Sequence, residues 1–463
     1  MKKKTIVTSA VAGGLTVGLM LSSFASTSEA HDWLGGDLDK WEDDYGDIDF
    51  QGEVIEGDKN MKFLHEAAAK ELEPHEDGYD ITMADVYAHQ GYAYTGTHVS
   101  AGNNANGGVH VFDLQDPSNP EKVAQFADEI PGTWQEKVIV KTVNTPDFRG
   151  DLAVVSVQQT DRDNPDSKGG FLLYDVTTPE DPERLGFWEV DKRTNGTHEL
   201  YLTTQGNRPL VLTANPYADF FTEGESKDFQ LVDVSDPSNP ETIYEFDPRE
   251  LDEVEEEFNG YNWNAPDGNE RPVFAHSAIT NQNGTKAFLS FWDLGTVILD
   301  ISNPDNPEYL GRTDFASDQQ GAAHSAALAR GGNVLIETRE VSNPTVDGYE
   351  EGYGYTRIFD IKDPSSPALL SEFKTELVDN IEDGTTFANT VHDPKVRGNT
   401  LYLSHYAGGV RAVDITNPAS PEQVGQYVPE ESDIWGVFVD RNYILASDMG
   451  TGLKVLERNN RQN

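Results

Sequence analysis

Four histidines stand in similar company along the chain: Thr197-His198-Glu199, Ala275-His276-Ser277, Ala323-His324-Ser325 and Val391-His392-Asp393. Each opens a short run that reads as a strand. Neutral imidazole is a ligand for Zn, Cu, Fe and Ni, and four imidazoles brought together would leave coordination positions open for chemistry. His198, His276, His324 and His392 are therefore the candidate metal ligands, with Zn, Cu or Fe as the candidate cofactor. The competing role is structural, because a polar residue that recurs in a repeat can latch one unit to the next through a backbone carbonyl. The corresponding triplets elsewhere are Ala84-Asp85-Val86, Trp134-Gln135-Glu136 and Trp435-Gly436-Val437, which lack His.

A second set of positions recurs about one strand later: His98, Gln158, Asn215, Trp292-Asp293, Arg339-Glu340, His405-Tyr406 and Asp448. Structural positions in a repeat tend to repeat, whereas these are chemically diverse, as a binding surface would be. His98, Asp293, Arg339, Glu340 and His405 are the candidate ligand-binding residues, for a protein, a glycan or a small molecule. Asp161-Arg162-Asp163-Asn164-Pro165-Asp166 and Asp43-Asp44-Tyr45-Gly46-Asp47-Ile48-Asp49 hold carboxylates at spacings that could wrap calcium. Neither completes a calcium loop, so calcium is the weaker candidate. The chain contains no Gly-x-Ser-x-Gly elbow, no His-Glu-x-x-His and no phosphate loop, so hydrolase chemistry has no support.

The elements that must position these residues are repeats. Six times a short apolar run ends in Asp, at Asp113, Asp175, Asp233, Asp300, Asp360 and Asp414, and Pro follows four and seven residues later. The Asp side chain can accept hydrogen bonds from its own turn, and the two prolines fix φ and refuse a ladder position, so the strand must stop there. A degenerate seventh copy is Gly452-Leu453-Lys454-Val455-Leu456-Glu457. Repeats of roughly 40–65 residues built from short strands and Gly/Pro turns predict an all-β fold, a seven-bladed β-propeller with four strands per blade. The last copy leaves no room for an outer strand, and Met61-Lys62-Phe63-Leu64-His65 has the outer-strand pattern, so it is expected to close the ring. A helix over Met61 to Leu72 is the competing reading.

The start of the chain, Met1-Lys2-Lys3-Lys4, an apolar stretch to about Leu21 and then Ser28-Glu29-Ala30, predicts a secretory signal over residues 1–30. An acidic lead over 31–60 and the propeller over 61–458 follow. The 463 residues include 34 basic and 81 acidic ones, for a net charge of −47; without residues 1–30 it becomes −49. Such a surface repels nucleic acid and anionic membranes and suits a salty medium. There is no Cys, hence neither disulfide nor thiolate metal site. The expectation is a monomer without a transmembrane segment, released or held at the envelope by a partner.

The repeat, as in Val232-Asp233-Val234-Ser235-Asp236-Pro237-Ser238-Asn239-Pro240, resembles the LVIVD-repeat family of surface propellers, over residues from about 61 to 458. The resemblance implies a propeller and an extracellular or envelope location, and it implies no reaction. The histidine set resembles in outline the His-lined axial sites of some seven-bladed propeller oxidoreductases, without a continuous sequence match. Two functions therefore stand side by side: a secreted ligand- or protein-binding module, and a metal-dependent oxidoreductase. Convergence of the four histidines would distinguish them.

Overall fold

A computed structural model describes residues 61–68, 81–99, 107–252, 254, 258–259, 262–264, 270–292, 294–315, 322–340, 355–375, 390–429 and 432–458. The expected signal and acidic lead, the Asp43–Asp49 cluster and Asp293 lie outside them.

The motif turns form as their residues dictate. In all six copies the terminal Asp accepts a hydrogen bond from the backbone N–H two residues on, at 2.7 Å for Asp113 and Asp414, 2.8 Å for Asp175, Asp233 and Asp300, and 3.0 Å for Asp360. Five motif strands have a Gly with positive φ as their first residue or immediately before it. At Gly409 (φ 70°), a Cβ would lie 2.1 Å from the carbonyl oxygen of Tyr427 on the outer strand, so the close approach of the two strands requires glycine.

The strands assemble into seven antiparallel blades. Blade 1 runs Ile81–His89, Tyr92–Val99, Val109–Asp113 and Glu121–Phe126. Blade 2 runs Val138–Asn144, Arg149–Gln159, Gly170–Asp175 and Glu183–Glu189, with Thr133–Trp134 as an added pairing on its second strand. Blade 3 is Glu199–Gln205, Arg208–Ala214, Phe229–Asp233 and Glu241–Phe246. Blade 4 is Ala275–Thr280, Lys286–Phe291, Gly295–Asp300 and Glu308–Arg312, and blade 5 is Ala323–Ala329, Val334–Arg339, Thr356–Asp360 and Ala368–Phe373. Blade 6 is Pro394–Arg397, Thr400–Ser404, Val410–Asp414 and Glu422–Tyr427. Blade 7 takes Ile434–Asp440, Tyr443–Asp448 and Gly452–Arg458, and Met61–Ala68 pairs antiparallel with the last of these as its outer strand. A small three-stranded sheet, Phe258–Asn259, Asn262–Asn264 and Glu270–Pro272, lies in the chain between blades 3 and 4.

The first strand of each blade contacts the first strands of both neighbours, so these seven strands surround one axis. The core is divided among the junctions. Val155 of blade 2 packs toward blade 1 with Val109 and Val111, while the adjacent Val154 packs toward blade 3 with Leu200 and Leu202. Alternate residues of a middle strand thus face opposite junctions, which explains why these strands read as unbroken apolar runs. Burial of each such Val or Leu contributes about 1.5–3 kcal/mol.

Candidate functional site: the propeller axis

The axial side chains form three layers, one residue per blade in each. The first strands of blades 1, 4, 5 and 7 carry a register shift near their starts, at Met83/Val86, Ala275/Ser277, Ala323/Ala326 and Ile434/Gly436. A β-bulge sets two residues against one and re-aims a side chain. Consecutive residues such as His276 and Ser277 can then both face the axis.

The upper layer holds Ala84, Glu136, His198, His276, His324, His392 and Trp435. The four predicted histidines do converge, each at most 4 % exposed. Their rings follow one another at centroid separations of 4.5 Å (His198–His276), 4.0 Å (His276–His324) and 4.4 Å (His324–His392). Trp435 continues the series 4.4 Å from His392, and His98 lies 5.4 Å from Trp435 and 4.0 Å from Trp134, which lies 6.0 Å from His198. Seven rings therefore close a circle. His98 reaches in from the second strand of blade 1, where the first strand offers only Ala84.

Glu136 and Glu340 place carboxylates in this circle. Glu136 Oε2 is 2.8 Å from His198 Nδ1, and Oε1 accepts from Trp435 Nε1 at 3.2 Å. Gln158 Oε1 also lies 2.7 Å from His198 Nδ1. With two acceptors facing it, Nδ1 carries a proton. His198 Nε2 is 3.0 Å from His276 Nε2, a separation that requires a proton between them. Burial works against a charge on His198, yet Glu136 overcomes it and holds its pKa above the ordinary value. Burial and the neighbouring cationic groups push His276, His324 and His392 well below theirs, and burial takes His98 down to about 3. These four are neutral at physiological pH.

Glu340 Oε2 lies 3.4 Å from His324 Nε2, and Tyr406 donates its hydroxyl to Glu340 Oε1. Burial pushes the Glu340 carboxyl up to about 7. One ligand atom from each of His276, His324 and Glu340 falls within 4.8 Å of the others. His276 Nδ1 and both ring nitrogens of His324 are buried without a hydrogen-bond partner among the described residues. Two neutral imidazoles and a carboxylate form the donor set of Zn(II), Fe(II) and Cu(II) sites. Ligands about 2.0–2.2 Å from a tetrahedral ion stand about 3.4 Å apart, the His324–Glu340 separation.

The second residue set divides by strand alternation. His98, Gln158, Trp292, Glu340 and Tyr406 reach the axial circle; Trp292 lies 5.3 Å from His276. Arg339 and His405 turn instead toward segments that follow a neighbouring blade's outer strand. The Arg339 guanidinium sits 5.1 Å from the Phe315 ring centroid, and His405 Nε2 is 2.8 Å from Thr375 Oγ1. The two rings expected from sequence spacing merge largely into a single cluster, because the end of each second strand pairs with the start of a first strand: His198 N–H donates to Ala214 O and His392 N–H to Ser404 O.

The middle layer is ionic: Asp85, Lys137, Glu199, Ser277, Ser325, Asp393 and Gly436. Lys137 Nζ lies 2.8 Å from Asp85 Oδ2, 3.0 Å from Glu199 Oε1 and 3.7 Å from Asp393 Oδ2. Burial opposes its charge, but the three carboxylates raise its pKa well above normal, so it stays an ammonium and cannot serve as a nucleophile. These contacts move the register of three blades by one. The partners of the histidines are Ala84, Glu136 and Trp435, and Asp85, Lys137 and Gly436 belong one layer down. Sequence spacing missed Glu136 and Lys137 because blade 2 interrupts its first strand after Trp134; a carboxylate and a Lys adjacent in sequence, in one of the three repeats that lack His, were the available signal.

The fold and axis define a class: a seven-bladed β-propeller with a buried axial cluster of imidazoles and carboxylates. The LVIVD repeat family matches residues 224–247, 284–314 and 390–428, covering motif strands and proline turns of blades 3, 4 and 6, so LVIVD repeats occur within the propeller. No curated protein matches it. Among solved structures, the computationally designed Ika8 protein is similar at 10 % identity and a TM-score of 0.47, over 86 % of this chain and 99 % of that one.

Proposed function

We propose that the protein is a metal-binding propeller of the cell envelope or medium, in which His276, His324 and Glu340 hold one divalent first-row transition ion on the axis. The observation that carries this reading is the meeting of three buried donors within 4.8 Å of one another, with ring nitrogens that have no hydrogen-bond partner among the described residues. Buried polar atoms are normally paired, and such a group costs about 1–3 kcal/mol when it is not. One ion could satisfy two of them, one on each ring. His198 and His392 flank the set, and Tyr406 orients Glu340 from behind, as outer partners of metal ligands commonly do. With Zn(II) the site would be a Lewis acid; with Cu(II) or Fe(II) it would support oxidation chemistry.

Supporting the envelope location are the repeat family and the amino-terminal segment. No helix of the described residues is long and apolar enough to cross a membrane.

The test is elemental analysis of the full chain purified without a histidine tag from a host supplied with Zn, Cu and Fe, beside a His276→Ala/His324→Ala variant of unchanged unfolding midpoint. The proposal expects about one equivalent of metal per chain, lost in the variant. Metal-free protein, or metal retained undiminished by the variant, would overturn it.

A further inference from the structure

We infer that the lower end of the axial channel is a second binding site, for a small organic cation with a primary ammonium head and a short apolar body. Below the ionic layer the channel widens into a cavity of about 900 Å³. The third axial layer forms its wall, with Tyr87, Ile139, Tyr201, Ile279 and Phe438 among its members, and the hairpin turns at Asn281–Asn283 and Arg330–Gly332 lie at its mouth. Apolar and polar groups share this lining about equally, and a volume of this size with converging polar groups characterises small-molecule sites.

The floor decides the charge of the ligand. Asp85, Glu199 and Asp393 are at most 3 % exposed and face one buried ammonium, Lys137. Lys395 from the wall pairs with Asp393. Three acids thus meet two cations, and burial together with Asp393 raises the Asp85 carboxyl above its ordinary value despite Lys137, so an ammonium would take the place of a proton here. The hydroxyls of the floor do not make up the difference, because Ser277 donates to the His324 carbonyl at 2.8 Å and Ser325 to the His392 carbonyl at 2.7 Å. Asp85 Oδ1 is left buried without a hydrogen-bond partner among the described residues.

A carboxylate or phosphate ligand would be repelled here, and a purely apolar one would bury these acids further without pairing them. A primary ammonium brings three donors and the missing charge. The wall suits the same ligand, since the rings of Tyr87 and Phe438 lie 4.6 Å apart beside the floor and a cation is attracted to aromatic faces. The protein already makes such a contact at the Tyr201 ring, where Lys141 Nζ sits 5.1 Å from the centroid.

The site is independent of the upper cluster, and so is its test: calorimetric titration of the full chain with n-butylammonium and with 1,4-diaminobutane, and with 1-butanol as the neutral counterpart. The expected result is saturable binding of an amine and none of the alcohol, weakened about tenfold or more by Asp85→Asn. Ile279→Trp, which fills the cavity without touching the floor, should abolish binding, whereas His276→Ala/His324→Ala should leave it unchanged. No saturable amine binding, equal binding of 1-butanol, or undiminished binding by Ile279→Trp would overturn the proposal.

Discussion

Each axial residue has its protonation state set by what burial costs it and by what it faces. Burial opposes a charge on His198, but Glu136 2.8 Å away holds its pKa above the ordinary value, whereas burial pushes His324, with no carboxylate in hydrogen-bonding contact, well below it. The same logic makes a prediction away from the cluster. Burial and the Asp448 carboxylate push the Asp433 carboxyl up to about 7, from an unfolded value near 3.8. The folded state then holds this proton more tightly than the unfolded one. Its contribution is present below pH 3.8 and is lost as pH rises through about 7. Asp433→Asn removes that loss, so the variant's thermal midpoint should rise relative to the parent between pH 4 and pH 8, by roughly 2 °C. Scanning calorimetry at both pH values checks this; a difference that is constant with pH would mean that Asp433 ionises normally.

At the scale of the element, the proline turn was legible almost residue by residue. The Asp of each motif strand accepts from its own turn, and the strands stop at the motif, because both effects are local and depend on residue type alone. The axial bulges were not legible. Whether one or two residues face the axis at the start of a first strand depends on pairing with a second strand, which no short window of sequence contains. That is why the four histidines could be recognised as equivalent while the blade 1, 2 and 7 partners were displaced by one, and why Glu340 could be picked out without its contact to His324.

The glycines before the motif strands allow a direct test of what the strand contact demands. Gly398, in a hairpin turn, has φ 63° and open space around it; Gly409 has φ 70° and the Tyr427 carbonyl 2.1 Å from where a Cβ would stand. Gly398→Ala should cost about 1–2 kcal/mol, for the left-handed backbone alone. Gly409→Ala adds the clash with the outer strand, about 1–3 kcal/mol more. Urea denaturation of both variants measures the difference, and equal costs would show that the outer strand yields freely.

For the whole molecule, ring architecture makes both compartments possible. Seven first strands deliver side chains from distant regions of the chain, His198 to Trp435, onto one axis, and the Lys137 layer separates the imidazole cluster above from the cavity below. Blade number followed from counting repeats, because each repeat is one supersecondary unit. Function did not follow from the count, since the same propeller serves many chemistries and the decisive contacts are between blades.

The most direct measurement is an anomalous difference map at the zinc edge, from crystals of the full chain grown with Zn(II). A peak is expected on the axis about 2.0–2.2 Å from nitrogens of His276 and His324 and an oxygen of Glu340. An axis without anomalous density, or zinc confined to the acidic surface, would contradict it and leave the histidine circle as packing between blades.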